Sequence, residues 1–284
     1  MTKKSSVFIS FDMEGISAVS SWREIKKDSP NLNALRKIAT AEVNAAIHGI
    51  RKSEQRIHKI TICDAHAFGD NLMIEELDPG VQLVKGTPGK NNMIEGIDEN
   101  FDVAFFIGYH SMAGTKYAGM DHTFSSTTIY SVKINGRYVG ETEVNAALAG
   151  YYGVPLGLVT GDDSLIAEVT RFFGQRVETV VTKRAVSRFA AQCRHPSDVQ
   201  QEIESKATRA MQKISKLKLF RFKSPIKAEV DFLNSLIADL SELVPGVKRT
   251  NGRKIIFRAK DTREFYRMLR LMCSLGGYAN SVLT

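Results

Sequence analysis

Short apolar runs alternate with segments of helical periodicity through the first half of this chain, and no other feature narrows its fold as much. The run "VFISF" (residues 7–11) is apolar and of strand length. In "NLNALRKIATAEVNAAIHGIRKS" the apolar residues return every three or four positions, as one face of an amphipathic helix requires. "KITICDAH" reads as a second strand, followed by a short helix over "NLMIEEL" and a strand at "VQLVKG". "DVAFFIGYH" is apolar throughout, the pattern of a central strand covered on both faces. This succession predicts an α/β fold: a largely parallel sheet flanked by helices.

Farther along, "TTIYSVKINGRYVGE" alternates apolar and polar residues on either side of Asn135-Gly136, the signature of a two-residue hairpin turn. A helix over "TEVNAALAGYYG" follows, then a strand at "VPLGLVTGD", a helix over 162–173 and a strand at "VETVVTK". The apolar stretch "VNAALAGYYG" is expected to serve the core rather than an interface. A long helix over 196–215 is introduced by Pro196, with Ser197 or Asp198 available as its cap. The remainder, "IKAEVDF", a helix over 234–243, "KIIFRA" and "TREFYRMLRLMCSL", makes a smaller C-terminal α+β portion. A boundary near residue 190 is expected, with a catalytic α/β domain over 1–190 and an α+β subdomain over 191–284.

Composition removes several classes of function. With 284 residues, 43% of them hydrophobic, the chain can bury a full core, yet no apolar run approaches bilayer-spanning length, so no membrane partner is expected. The N-terminal "MTKKSS" leads straight into a strand without the apolar region of a signal peptide. Cys63, Cys193 and Cys273 are odd in number and widely spaced, which argues against a disulfide framework and a cysteine zinc site and favours the cytoplasm. The net charge of +8 is concentrated toward the C-terminus, where Lys and Arg alternate with apolar residues. That is a solvated basic surface able to attract an anionic substrate; the aromatic and glycine spacing of an RNA-binding sheet is missing, and no nucleic-acid partner is expected.

In open α/β sheets ligands gather beyond the carboxyl ends of the strands. The polar residues there are Asp12 and Glu14 after the first strand, Asp64 and His66 after the second, His110 after the buried one, Glu141 at the start of a helix, and Asp162 and Asp163. Taken singly, Asp64, Asp162 and Asp163 read as turn formers or helix caps, and Glu141 as a favourable charge at a helix N-terminus. Asp12 and Glu14 are harder to read so: two apart on a strand, they face one side and repel unless a cation or proton neutralises them. Imidazoles and carboxylates converging on one sheet edge suit Zn²⁺, ahead of Mn²⁺ or Fe²⁺. Two histidines and three carboxylates exceed one tetrahedral site and fit a two-metal centre with a bridging carboxylate such as Asp12, able to activate water and polarise a carbonyl or phosphoryl oxygen. His122 lies in a Gly-rich loop ahead of Ser125 and Ser126, placed to act as a general acid or base. His48, His58 and His195 carry no such context and read as structural or surface residues.

The segments "SFDMEGISAV", "CDAHAFGDNLM", "MIEGID", "FIGYHSMAGT", "GMDHTFSS" and "INGRYVGETEVNAALAGYYGVPLGLVTGDD" resemble, in the same order, the D-aminopeptidases of the M55 metallopeptidase family. The resemblance covers about residues 7–163 and weakens toward the C-terminus. It implies a dinuclear zinc centre, with two Zn²⁺ per subunit or Mn²⁺ or another divalent ion in their place, that removes N-terminal D-amino acids from short peptides or amides. It also implies a homo-oligomer assembled as a ring. Position by position, it implies the metal ligands Asp12 (bridging), Glu14, His66, His110 and Glu141, and it matches His122 to an active-site histidine described as a nucleophile. A histidine nucleophile requires an acyl-imidazole, whereas a proton shuttle or oxyanion donor does not, and the role of His122 stays open. The alternatives are a metal-dependent amide hydrolase acting on L-peptides or small amides, and a peptide-binding or assembly protein without catalysis.

Overall fold

The computed structural model describes residues 4–86 and 89–283. Its main sheet contains β1 (Ser5–Phe11), β2 (Ile57–Asp64), β3 (Gln82–Val84), β4 (Val103–Tyr109), β7 (Leu156–Asp162), β8 (Glu178–Ser187) and β9 (Ala190–Cys193), in the order β3-β2-β1-β4-β7-β8-β9. All neighbours in it run parallel except β8 and β9. A second sheet, antiparallel, joins β5 (Ile129–Ile134) and β6 (Arg137–Tyr138) to β10 (Ile226–Phe232), β11 (Lys248–Arg249) and β12 (Lys254–Ala259), in the order β11-β12-β10-β5-β6. The expected α/β class, a largely parallel sheet with flanking helices and a C-terminal α+β portion, is the one observed.

The central strands are apolar in every register because both faces of the sheet are covered. From β1, Val7, Ile9 and Phe11 enter one core, against α1 (Leu32–Lys52) and α4 (Pro196–Gln212). Phe8 points to the opposite core, which is filled by α2 (Glu141–Tyr151), α3 (Asp163–Phe173), the second sheet, and the helices α5 (Ser235–Glu242) and α6 (Thr262–Leu283). Helix α2 is buried from Glu141 to Gly150, so its apolar run does serve the core. A buried polar chain crosses this layer: Tyr266 Oη donates to Asn145 Oδ1 (2.9 Å), Asn145 Nδ2 to Tyr109 Oη (3.1 Å), and Tyr109 Oη to Ser10 Oγ (2.7 Å), whose own proton goes to the Met93 carbonyl (2.6 Å). It ties β1, β4, α2 and α6 together among apolar side chains, where each unpartnered polar atom would be costly.

Three local expectations are corrected. "NLMIEEL" forms only one 3₁₀ turn, Ile74–Glu76, bounded by the extended backbone of Met73 and Leu77, while the Asp64 carboxylate and Thr40 Oγ1 pin the N–H groups of Asn71, Leu72 and Met73 ahead of it. The cap of α4 is neither Ser197 nor Asp198 but His195, whose Nδ1 accepts from the Ser197 N–H (3.3 Å): Pro196 occupies the first helical position, which makes the preceding residue the cap. Asp12 and Glu14 lie beyond the end of β1 rather than on it. The Asn135-Gly136 turn has the expected positive φ angles, 51° and 83°. Residue 190 falls at the start of β9, and the second sheet draws strands from both sides of it.

Candidate metal centre

β1, β2 and β4 are adjacent and parallel, so their carboxyl ends open at one edge. Asp12 continues the ladder, its N–H donating to the Ile107 carbonyl (2.8 Å), and the chain then turns back over β4, with the Gly15 N–H donating to the Gly108 carbonyl (2.7 Å). The approach requires glycine on both sides. A Cβ on Gly15 would lie 1.9 Å from the Tyr109 carbonyl oxygen, and one on Gly108, whose φ is +75°, would lie 2.1 Å from that of Asp12. The turn places the Asp12 and Glu14 side chains in one buried cluster with His66, His110 and Glu141.

The distances divide the cluster into two halves. Asp12 Oδ1 is 3.3 Å from His66 Nδ1, which is itself 2.8 Å from Glu14 Oε2. Asp12 Oδ2 is 3.4 Å from His110 Nε2, which is 3.3 Å from Glu141 Oε2. His122 stacks on His110, with ring centroids 4.0 Å apart and planes 10° from parallel, and its Nε2 is 3.7 Å from Glu141 Oε1. Ligand atoms of Asp12, Glu14 and His110, and separately of His110, His122 and Glu141, lie within 4.8 Å of one another. A tetrahedral zinc ion with bonds of about 2.0–2.1 Å holds its donors roughly 3.3 Å apart, and three of the four spacings match; the Glu14–His66 contact is tighter.

Hydrogen bonding and charge favour the same occupant. Glu14 Oε2 and His110 Nε2 are buried and make no hydrogen bond, an arrangement that costs stability unless a cation completes it. His110 Nδ1–H donates to the Ser111 carbonyl (3.0 Å) and His122 Nδ1–H to that of Met120 (2.9 Å), which turns each Nε2, the atom a metal-ligating imidazole would use, toward the cluster. Burial, and then the charge of Glu14, push the Asp12 carboxyl up to about 7. Burial would also raise Glu14, but the charge of His66 holds it well below the ordinary value. Against the effect of burial, Glu141 pulls the His110 imidazole well above its usual range, and Glu14 does the same to His66. Three buried carboxylates thus draw positive charge to this edge of the sheet.

The other strand-end acids are held by backbone donors. Asp64 accepts from the N–H groups of Asn71 (2.6 Å) and Leu72 (2.8 Å) and from Asn71 Nδ2 (2.8 Å). Asp162 caps α3 through the Leu165 N–H (2.8 Å) and accepts from Gly119 (2.8 Å), and Asp163 accepts from Ala185 (3.0 Å). His48 pairs with Asp78 (2.9 Å), away from the cluster.

Two residues at the site carry no signal in the sequence. Trp22 donates its indole N–H to Glu14 Oε1 (3.0 Å). Lys183, 1% exposed on β8, donates to the carbonyls of Glu14, Ile16 (2.8 Å) and Val19 (2.5 Å), while Thr182 Oγ1 donates to that of Gly15 (2.5 Å). Lys183 and Thr182 act across the fold on the loop that carries Glu14, and Trp22 belongs to that loop itself. A cleft of about 750 Å³ opens over the cluster, and Met93, Phe124, Ser125, Ser126 and Arg270 are among its walls.

A mostly parallel α/β sheet with such a nitrogen and oxygen donor set at its carboxyl edge, under a cleft of this size, has what a metal-dependent hydrolase needs. Comparison with known proteins supplies the family. Residues 6–271 match the model of the M55 peptidase family, described as D-aminopeptidase, and the chain belongs to that family. It is 32% identical, over 95% of its own length and 97% of the relative's, to the D-aminopeptidase of Bacillus subtilis (strain 168). It is similar in structure to the Zn-dependent D-aminopeptidase DppA from Bacillus subtilis, a self-compartmentalizing protease, with a TM-score of 0.90, 32% identity and coverage of 95% of this chain and 97% of that one. Among the described residues, no helix is long and apolar enough to cross a membrane.

Proposed function

We propose that this chain is a zinc-dependent aminopeptidase that releases N-terminal D-amino acids from short peptides, using two metal ions held by Asp12, Glu14, His66, His110 and Glu141. The observation that carries the reading is the placement of the Asp12 oxygens, one toward His66 and Glu14, the other toward His110 and Glu141, so that the five residues would hold two ions with Asp12 reaching both groups. Zinc, when bound, supplies Lewis acidity toward a carbonyl oxygen and lowers the pKa of water.

The remaining work falls to the chain itself. The cleft has room for a short peptide, and Met93 and Phe124 give its walls apolar surface for a substrate side chain. His122 is held by its Nδ1–H bond to the Met120 carbonyl, and burial followed by the proximity of His110 lowers its pKa. It is therefore neutral near pH 7 with its Nε2 lone pair facing the cluster, where it can take a proton from attacking water and return it to the leaving amine. Glu141 Oε1 is fixed by the Phe124 N–H (2.6 Å), so its position does not shift as charge moves. The kinship with a self-compartmentalizing protease supports assembly of this chain into a homo-oligomer; a ring is the form proposed for it.

The deciding experiment is a stereochemical panel: D-Ala-D-Ala, D-alanine amide and their L counterparts, assayed with Zn²⁺ and Mn²⁺. Cleavage of the D substrates in preference to the L ones is expected. A preference for L substrates would overturn the stereospecificity while keeping the metallopeptidase, and inertness toward all four would overturn catalysis. Light scattering on the eluting protein tests the assembly, for which a monomer is the contrary result.

A further inference from the structure

Trp22 occupies a place that neither a loop residue nor a cleft wall alone would need. Its indole N–H donates to Glu14 Oε1, and this leaves Oε2, the oxygen 2.8 Å from His66 Nδ1 and without a hydrogen bond of its own, to face the metal cluster. The same ring meets His122 edge-on, with centroids 5.6 Å apart and planes at 78°. One side chain thus touches a ligand of one half of the centre and the histidine beside the other half.

The indole is itself clamped. The turn between β8 and β9 brings the Phe189 ring to 5.4 Å from it at 67° and the Arg188 guanidinium to 5.4 Å over it. Arg188 also pairs with Asp121 (Nε to Oδ1, 3.2 Å), and its carbonyl accepts from the Met120 N–H (2.7 Å), so the same turn holds the loop that carries His122. An exposed Trp on a loop would lose much side-chain freedom to make one hydrogen bond; aromatic and cationic contacts on its faces remove that freedom in advance.

We propose that Trp22 is a positioning residue that fixes Glu14 as a single-oxygen metal ligand and sets the plane of His122. Carboxylates can bind a metal through one oxygen or both, and a donor locked to one oxygen selects the first mode. The inference rests on the reading of Glu14 as a ligand.

Trp22 is the sole tryptophan of the chain, so its emission reports on this hydrogen bond without interference. Zinc added to metal-free wild-type protein is expected to shift that emission with saturation at the binding stoichiometry; an unchanged spectrum would overturn the inference. Competition with a chromophoric chelator then compares wild type, Trp22→Phe and Glu14→Gln. Phe keeps an aromatic ring for His122 and loses the N–H, and about a 10- to 100-fold weaker zinc affinity is expected, the range seen when outer hydrogen-bond partners of metal ligands are removed. The d–d spectrum of the Co²⁺-substituted Trp22→Phe protein is expected to differ from wild type, a change that loss of packing alone would not give. If Glu14→Gln weakens zinc binding and Trp22→Phe does not, the positioning role is wrong and the metal centre stands. If Glu14→Gln has no effect, the ligand reading itself has failed.

Discussion

Asp12 and Asp64 follow or end neighbouring strands of one sheet, are both almost fully buried, and live in opposite surroundings. Asp64 has three N–H donors from its own loop and no need of anything else. Asp12 accepts one backbone N–H, that of Met13 (2.9 Å), and otherwise meets two imidazoles, His66 at 3.3 Å and His110 at 3.4 Å, with Glu14 and Glu141 behind them. Buried acids with a full set of donors hold a loop; buried acids left facing one another and histidines call for a cation or a proton. The difference lies in the partners, since residue type, burial and position in the sheet are shared.

Exchanging the roles of these two residues by mutation should separate activity from stability. Asp12→Asn is expected to cost at least about 10³-fold in kcat/KM, about 4 kcal/mol, while the metal-free protein keeps its stability because a repelled carboxylate has been removed. Asp64→Ala should do the reverse. It strands buried N–H groups at about 1–3 kcal/mol each, so urea unfolding should show a loss of roughly 3 kcal/mol with zinc affinity within a few-fold of wild type. Zinc removal belongs between them: ions held at a hundred times their dissociation constant add about 2.7 kcal/mol, and chelation should lower the melting temperature by roughly 5–10 °C in wild type and Asp64→Ala and by less in Asp12→Asn.

Glu42 is the intermediate case, and its effect is the smallest. One oxygen accepts from the Ser17 N–H (2.9 Å), the other has no partner, and burial raises its pKa from 4.5 to about 7. The folded state therefore keeps a proton that the unfolded state releases, and this contribution to stability is full below about pH 4.5 and is lost as pH rises through about 7. Glu42→Gln should flatten that slope, and denaturation at pH 5 and pH 8 should show the variant gaining on wild type at the higher pH.

Much of the scaffold was legible because its signals are local. The apolar run ending at Phe11, the Asn135-Gly136 turn and the period of α1 each act within a few residues. The acids and histidines of the candidate site were legible as strand ends, and Asp64 and Asp162 as turn and cap residues, since a strand end is where an α/β sheet exposes function and also where loops need anchors. Where the donors of Asp64 come from was harder to read, because they belong to Asn71 and Leu72, in a segment that looked helical. Trp22 and Lys183 were illegible: Lys183 reaches the Glu14 loop across more than 160 residues of chain, and no spacing in the sequence encodes that meeting. The hairpin of β5 and β6 joined a sheet with C-terminal strands for the same reason.

The central claim, that Asp12 is shared between two ions, is tested most directly by counting metal. Elemental analysis of zinc-loaded protein after removal of free metal should give two ions per chain in wild type and in Asp64→Ala, and no more than one in Asp12→Ala. A wild-type protein that holds a single ion, or an Asp12→Ala protein that still holds two, would contradict it.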